Sequence, residues 1–228
     1  MTRIAVIDYG AGNLVSIEQA LATVGAEVRI VDRPDEIAWA DGVVVPGVGA
    51  AAPAMARLRD QGLVAPIRAW IASGRPYLGI CLGLQLLFEG SDEDGAETLG
   101  VVPGRTRRLA NAPTLPHIGW NQVGRTREHP LLAGIAPDAD FYFVHSYAGE
   151  LAPAAAGAAL AHTEHGDRFT SAVAIDALVG VQFHPERSGT DGLQLLANFV
   201  GLVAGRVGEA GTRGAGVGAR DAGVEALA

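Results

Sequence analysis

The chain has 228 residues, 49% of them hydrophobic, with a formal net charge of -8. It is long enough for one domain with a full core, and its acidic balance, without any Lys/Arg cluster, excludes the electrostatic footprint of a nucleic-acid binder. A single cysteine excludes an internal disulfide and a cysteine-rich zinc site, and a thiol that must stay reduced to be useful points to the cytosol.

The first residues, Met-Thr-Arg-Ile-Ala-Val-Ile-Asp, go straight into a strand-like run. Neither a signal peptide nor a membrane span of about 18 uninterrupted apolar residues is expected. Short apolar runs bounded by turn residues predict strands at 3–7, 27–31, 42–45 and 77–80, and helical spacing of apolar residues predicts helices over 14–24, 64–73 and 83–88. This alternation is that of βαβ units, so the fold class is α/β, with an open, mostly parallel central sheet flanked by helices. After residue 99 the character changes. Segments 101–102, 105–109, 118–123, 141–147 and 169–175 predict mixed or antiparallel strands, and 191–203 predicts a closing helix. One domain over 1–204 is expected, followed by a Gly/Ala-rich tail at 205–228 that lacks the bulky side chains to offset ordering entropy and is expected to be mobile.

The run Tyr77-Leu-Gly-Ile-Cys-Leu-Gly-Leu-Gln85 is the cysteine form of a nucleophile elbow, in which an apolar strand turns sharply into a helix. Gly79 and Gly83 flank Cys81 because side chains there would collide with the neighbouring strand and helix. The turn exposes the sulfur, and a helix N-terminus supplies partial positive charge to it. A second apolar run, Val179-Gly-Val-Gln-Phe-His-Pro-Glu186, reads as a strand ending at His184. Pro185 biases that histidine toward extended backbone, and Glu186, two residues on and on the same side, can orient the imidazole. A thiolate attacking an amide or ester carbonyl creates an oxyanion that needs two donors. Leu82 N–H is one, and the loop Val45-Pro-Gly-Val-Gly-Ala50 is the candidate for the other. That loop lacks the Gly-Lys-Ser/Thr of a P-loop, and Gly10-Ala-Gly-Asn13 lacks the third glycine of a dinucleotide loop. His162 and His165 have no accompanying carboxylates or thiols and read as solvated loop residues, so no metal and no cofactor are expected.

These residues resemble a class I glutamine amidotransferase of the Cys-His-Glu triad type, a flavodoxin-like fold, from Ile4 to about Val203. Within the class the chain is similar to the glutaminase subunits of imidazole glycerol phosphate synthases. The words that carry this narrower resemblance are Asp8-Tyr-Gly-Ala-Gly-Asn-Leu14, His117-Ile-Gly-Trp-Asn121 and Phe143-Val-His-Ser-Tyr147, beside Pro46-Gly-Val-Gly49 and His184-Pro-Glu-Arg-Ser188. The resemblance implies that Cys81 attacks the side-chain amide of L-glutamine, that His184 shuttles protons and that Glu186 orients it. It implies further that Gly49 completes the oxyanion hole with Leu82. Gln85 and Glu93 would help hold the substrate, and backbone groups of His145, Ser146 and Tyr147 would meet its amino-acid end. Asn13, Trp120, Tyr142 and Arg187 fall where the family faces its partner, a (β/α)₈ cyclase that receives the ammonia. Arg187 departs from the lysine common after His-Pro-Glu in this family. An oxyanion loop held incomplete until the partner is liganded would prevent waste of glutamine, and Gly47 and Gly49 allow the peptide rotation this requires. Glutaminases serving anthranilate, aminodeoxychorismate or pyridoxal phosphate synthesis would carry Pro-Gly-Gly at that loop, and the intact triad speaks against a non-catalytic scaffold.

Overall fold

Strand β1 (Thr2–Ile7) divides the core: Ile4 and Val6 face one hydrophobic cluster, Ala5 and Ile7 another. A strand apolar on both faces belongs in the middle layer of an α/β fold. The computed structural model describes residues 1–214, with side-chain surroundings described through residue 205. From β1 the chain passes through α1 (Leu14–Thr23) to β2 (Ala26–Val31), by a 3₁₀ turn to β3 (Gly42–Gly47), and through α2 (Ala51–Asp60) and α3 (Val64–Ala72) to β4 (Tyr77–Cys81). A single helical turn, α4 (Leu82–Gln85), follows directly. Then come β5 (Gly90–Ser91), β6 (Gly104–Arg108), β7 (His117–Arg125), β8 (Ala139–His145), β9 (Tyr147–Leu151), β10 (Ala159–His165), β11 (Asp167–Ile175), β12 (Leu178–Val181) and α5 (Gly189–Gly214).

The large sheet has the order β2-β1-β3-β4-β12-β11-β10-β7-β8. Pairing is parallel from β2 to β12 and antiparallel from β12 to β8. The parallel half has the flavodoxin-like order and is covered on both faces: Ile17 and Leu21 of α1 pack with Leu196 and Phe199 of α5, while Met55 of α2 and Ile67 of α3 lie in the opposite cluster. A small sheet of order β5-β6-β9 completes the second side. The mostly parallel sheet with added antiparallel strands is therefore the architecture that the sequence pattern predicts. The parallel strands all end at the same edge, where such folds bind ligands.

Several expected elements are redrawn. The helix α2 was not expected, because small alanines and Pro53 obscure the i, i+3, i+4, i+7 spacing of its buried Ala51, Ala54, Met55 and Leu58. Residues 101–102 form no strand; their amides bond to Leu87 C=O. The expected strand 141–147 is two strands in different sheets, β8 beside β7 and β9 beside β6, with the break at Ser146. Strand β10 carries His162 and His165, so these are not loop histidines; His162 is part-buried and His165 stacks on His117 with ring centroids 4.0 Å apart. The helix α5 continues past residue 203 into the stretch expected to be mobile, since extending a packed, nucleated helix is cheap. The rest of that tail, 215–228, lies outside the described residues. Among the described residues no helix is long and apolar enough to cross a membrane.

The closest backbone approach lies between α4 and β3: a Cβ on Gly83 would sit 1.7 Å from the carbonyl oxygen of Val45, whereas one on Gly157 would meet nothing within 4 Å. Gly83→Ala should therefore lower stability by about 2–3 kcal/mol, a fall in Tm of roughly 5–10 °C, with Gly157→Ala within about 0.5 kcal/mol of the parent. Thermal melts of the two variants check this.

Candidate active site

Cys81 ends β4 with φ +54° and ψ -107°, left-handed backbone that a non-glycine residue adopts only when its surroundings impose it. The imposition comes from both sides. Gly79 has no room for a Cβ, which would lie 2.6 Å from the Gly83 carbonyl oxygen, and Gly83 has none because of Val45. Tyr9, just after β1, donates its hydroxyl to Pro46 C=O at 2.8 Å, and that hydroxyl fills the space a Cβ on Gly47 would need. Burial, with the nearby Cys81 sulfur adding to it, holds the Tyr9 phenol well above its ordinary range, so it remains a donor. The elbow is thus built as the glycine spacing predicts. The expected helix 83–88 is shorter, however: beyond Gln85 the amides of Leu87 and Phe88 bond three residues back. Four residues carry little macrodipole, so what this helix contributes at the sulfur is limited to the unpaired amides of its first turn.

β12 ends at Val181, three residues before His184, and the histidine is held instead in the loop that follows. Its backbone is extended (φ -104°, ψ 94°), as a following proline favours. Glu186 reaches it from the 3₁₀ turn Pro185–Arg187 rather than by strand alternation. His184 Nδ1 and Glu186 Oε1 are 2.8 Å apart, with the two side chains 7% and 1% exposed. Burial opposes charge on this imidazole, but the Cys81 sulfur and the Glu186 carboxylate outweigh it, and His184 is pushed up to about 10. With Nδ1 committed to Glu186, Nε2 is buried without a hydrogen-bond partner among the described residues, and it is the ring atom left to exchange protons with a substrate.

A cavity of about 280 Å³ opens beside the sulfur and is lined by Gly49, Cys81, Gln85, Glu93, His145, Ser146 and Tyr147, among others. The structure thus gathers every expected substrate-binding residue at one place. The sheet-switching break at Ser146 aims the backbone of 145–147 at it. Gly49 has φ +89° and open space where a Cβ would be, and Leu82 is the first residue of α4. Burial, then neighbouring Asp94, raises the Glu93 carboxyl above its ordinary value at the rim. Gln85 is buried and donates through Nε2 to Tyr147 C=O at 2.8 Å and to Gln182 Oε1 at 3.1 Å, leaving its own Oε1 for a ligand.

Two residues here were not singled out from the sequence. Gln182, fully buried, places Nε2 3.6 Å from Cys81 Sγ. His117 places Nδ1 3.1 Å from His145 Nε2. Both lie inside quoted words, and polar residues in strands otherwise rich in apolar ones were the available signal.

Asn13, Trp120, Tyr142 and Arg187 meet on one face. Trp120 is 58% exposed and stands edge-on to Tyr142. The Arg187 guanidinium lies over the Tyr142 ring at 4.4 Å. Asn13 caps α1 by accepting from Ser16 N–H. Between this face and His184 lies a small cavity of about 60 Å³ lined by Asn13, Val48, His184, Glu186 and Arg187, among others.

Residues 5–202 match the family model for glutamine amidotransferase class-I. The imidazole glycerol phosphate synthase subunit HisH of Microcystis aeruginosa is 50% identical over 204 residues, covering 88% of this chain and 95% of that protein. The HisH subunit of Moorella thermoacetica is 48% identical over 211 residues, covering 91% and 100%. A crystal structure of a glutamine amidotransferase, 20% identical, matches with a TM-score of 0.67 over 88% of this chain and 98% of that one, a likeness of fold. By the extent of these matches and by the elbow its glycines enforce, the chain belongs to the class I glutamine amidotransferase family.

Proposed function

We propose that this chain is the glutaminase subunit of an imidazole glycerol phosphate synthase, acting in the cytosol, and that it hydrolyses L-glutamine through a γ-glutamyl thioester on Cys81. The observation that carries the reading is the single cavity that gathers Cys81, Gly49, Gln85, Glu93 and residues 145–147. Glutamine offers an ammonium, a carboxylate and an amide, and each needs a partner when buried. Glu93 and Gln85 Oε1 suit the ammonium, and backbone groups of 145–147 suit the carboxylate. Cys81 Sγ attacks the amide carbon while His184 Nε2 takes the thiol proton, and the oxyanion is met by the N–H groups of Leu82 and Gly49. His184 then protonates the leaving nitrogen, and ammonia departs. Water, deprotonated by His184, attacks the thioester; glutamate leaves and the thiol is restored.

Ammonia released beside His184 has the small cavity lined by Asn13 and Arg187 ahead of it. The partner that receives it is a (β/α)₈ cyclase, which combines it with a phosphorylated ribulosyl intermediate to give imidazole glycerol phosphate and aminoimidazole carboxamide ribotide. The exposed Val15, Val48, Ile118 and Trp120 provide apolar surface for that partner. Arg187, spread over the Tyr142 ring, presents a planar charge there in place of the compact ammonium of a lysine.

Cys81→Ala should lower glutamine-dependent synthesis in the complex by about 10³-fold or more and leave synthesis from added ammonia near the parent rate; loss of both contradicts the division of labour. The freedom of Gly49 supports an oxyanion loop completed only in the liganded complex, so the isolated chain should hydrolyse glutamine at least about ten-fold more slowly than that complex, as steady-state glutaminase assays will show. Glu186→Gln keeps an acceptor for Nδ1 but removes the charge, so the His184 titration followed by NMR should move down from about 10. A raised imidazole contributes stability that is complete below its unfolded value near 6.5 and is lost as pH climbs through the folded one. In the variant this alkaline loss should therefore be smaller and be complete at lower pH, which melts between about pH 6 and 10.5 will record.

A further inference from the structure

We propose that Gln182 holds the Cys81 sulfur by donating its amide N–H to it, stabilising the thiolate, and that Tyr147 C=O, acting through Gln85, dictates the orientation of that amide. The inference rests on Cys81 being the nucleophile. The donors and acceptors trace back to backbone groups with only one role available. Tyr147 C=O can only accept, and both Gln85 Nε2 and His145 Nδ1 face it, at 2.8 and 2.9 Å. Both atoms therefore carry hydrogens. The second hydrogen of Gln85 Nε2 points at Gln182, whose near atom must be its oxygen, at 3.1 Å. The nitrogen of Gln182 is then the atom 3.6 Å from Cys81 Sγ.

The far arm closes in the same way. Asn121 Nδ2 donates to Glu164 C=O at 2.9 Å, and Asn121 Oδ1 accepts from Gln122 N–H at 2.8 Å. The remaining Nδ2 hydrogen faces His117 Nε2 at 3.2 Å, which makes that atom an acceptor and puts the ring hydrogen on Nδ1. His117 Nδ1 then donates to His145 Nε2 at 3.1 Å. An added proton on either ring would set two N–H groups against each other. Burial agrees with this, and with the nearby histidines pushes His145 down to about 3 and His117 down to about 4. His117, His145, Gln85 and Gln182 are all buried, and flipping one amide would leave buried donors facing donors along the chain. His117 and Asn121 share β7 with the outward-facing Ile118 and Trp120, so the chain starts on the strand whose other face meets the partner.

The lone cysteine makes the test direct, because alkylation by iodoacetamide in the full chain reports Cys81 alone. The titratable groups facing it are His184 with Glu186 behind, Tyr9 from beyond β1, and Glu93 and His145 at the cavity; substitution at 182 alters none of them. Gln182→Met should raise the pH midpoint of alkylation by about one unit, a ten-fold loss of thiolate at fixed pH, with kcat falling by a similar factor and KM for glutamine changing less than about two-fold. Gln182→Glu keeps the shape and should shift the midpoint further upward, and it provides the reading if the Met variant does not fold. Unchanged midpoints in the 182 variants, or a raised KM alone, overturn the proposal. Because the midpoint is read without turnover, a Cys81→Ala variant that still hydrolysed glutamine would refute the nucleophile assignment separately.

Discussion

The structure depends on how closely the backbone of α4 lies on β3 and β4. Gly83 sits against the carbonyl of Val45, and Gly79 against the carbonyl of Gly83. With those contacts made, the residue between them has no ordinary conformation left, and Cys81 takes φ +54°. Left-handed backbone at a non-glycine residue costs on the order of 1–3 kcal/mol and persists only because the surroundings over-determine it. Here the over-determination comes from well-buried strands: every residue of β3 and β4 is buried. Strain at the sulfur is thus underwritten by the core.

Position along the sheet does the rest. β4 and β12 are parallel neighbours, Ile80 beside Val181, so the chain leaving each arrives at the same edge. Cys81 is delivered from one and the His184 loop from the other. The antiparallel extension has a separate task, since β8 must leave the large sheet and become β9 of the small one. Only Ser146, at the point of departure, belongs to neither ladder, and it lines the cavity together with His145 and Tyr147.

The sequence makes the parallel half legible because its strands are continuous apolar runs punctuated by glycine, and because the elbow needs glycines where a collision can be foreseen. Cys81, His184 and Glu186 are legible for the same reason. What misleads is local inference about nonlocal geometry. Glu186 reaches His184 through a 3₁₀ turn and not by alternation, and the helix thought to activate the sulfur is one turn long. α2 was obscured because its buried face is largely alanine, which carries a weak periodic signal.

Gln182 illustrates the deeper limit. A glutamine in Val-Gly-Val-Gln-Phe-His looks like a polar interruption of a strand, and its meaning comes from residues 97 and 101 positions away. A fully buried amide without partners would be destabilising by roughly 1–3 kcal/mol, so burial alone requires that such a side chain be satisfied. Yet satisfaction could be met by many arrangements; an apolar residue would fill the space without any. What selects an amide is a neighbour that changes charge. A thiol needs no donor, whereas a thiolate in a low-dielectric pocket does, and Gln182 offers one without itself titrating. An imidazole or ammonium there would carry a charge of its own into the pocket. Fixed through Gln85 by the carbonyl of Tyr147, the neutral amide donates to sulfur without adding a charge.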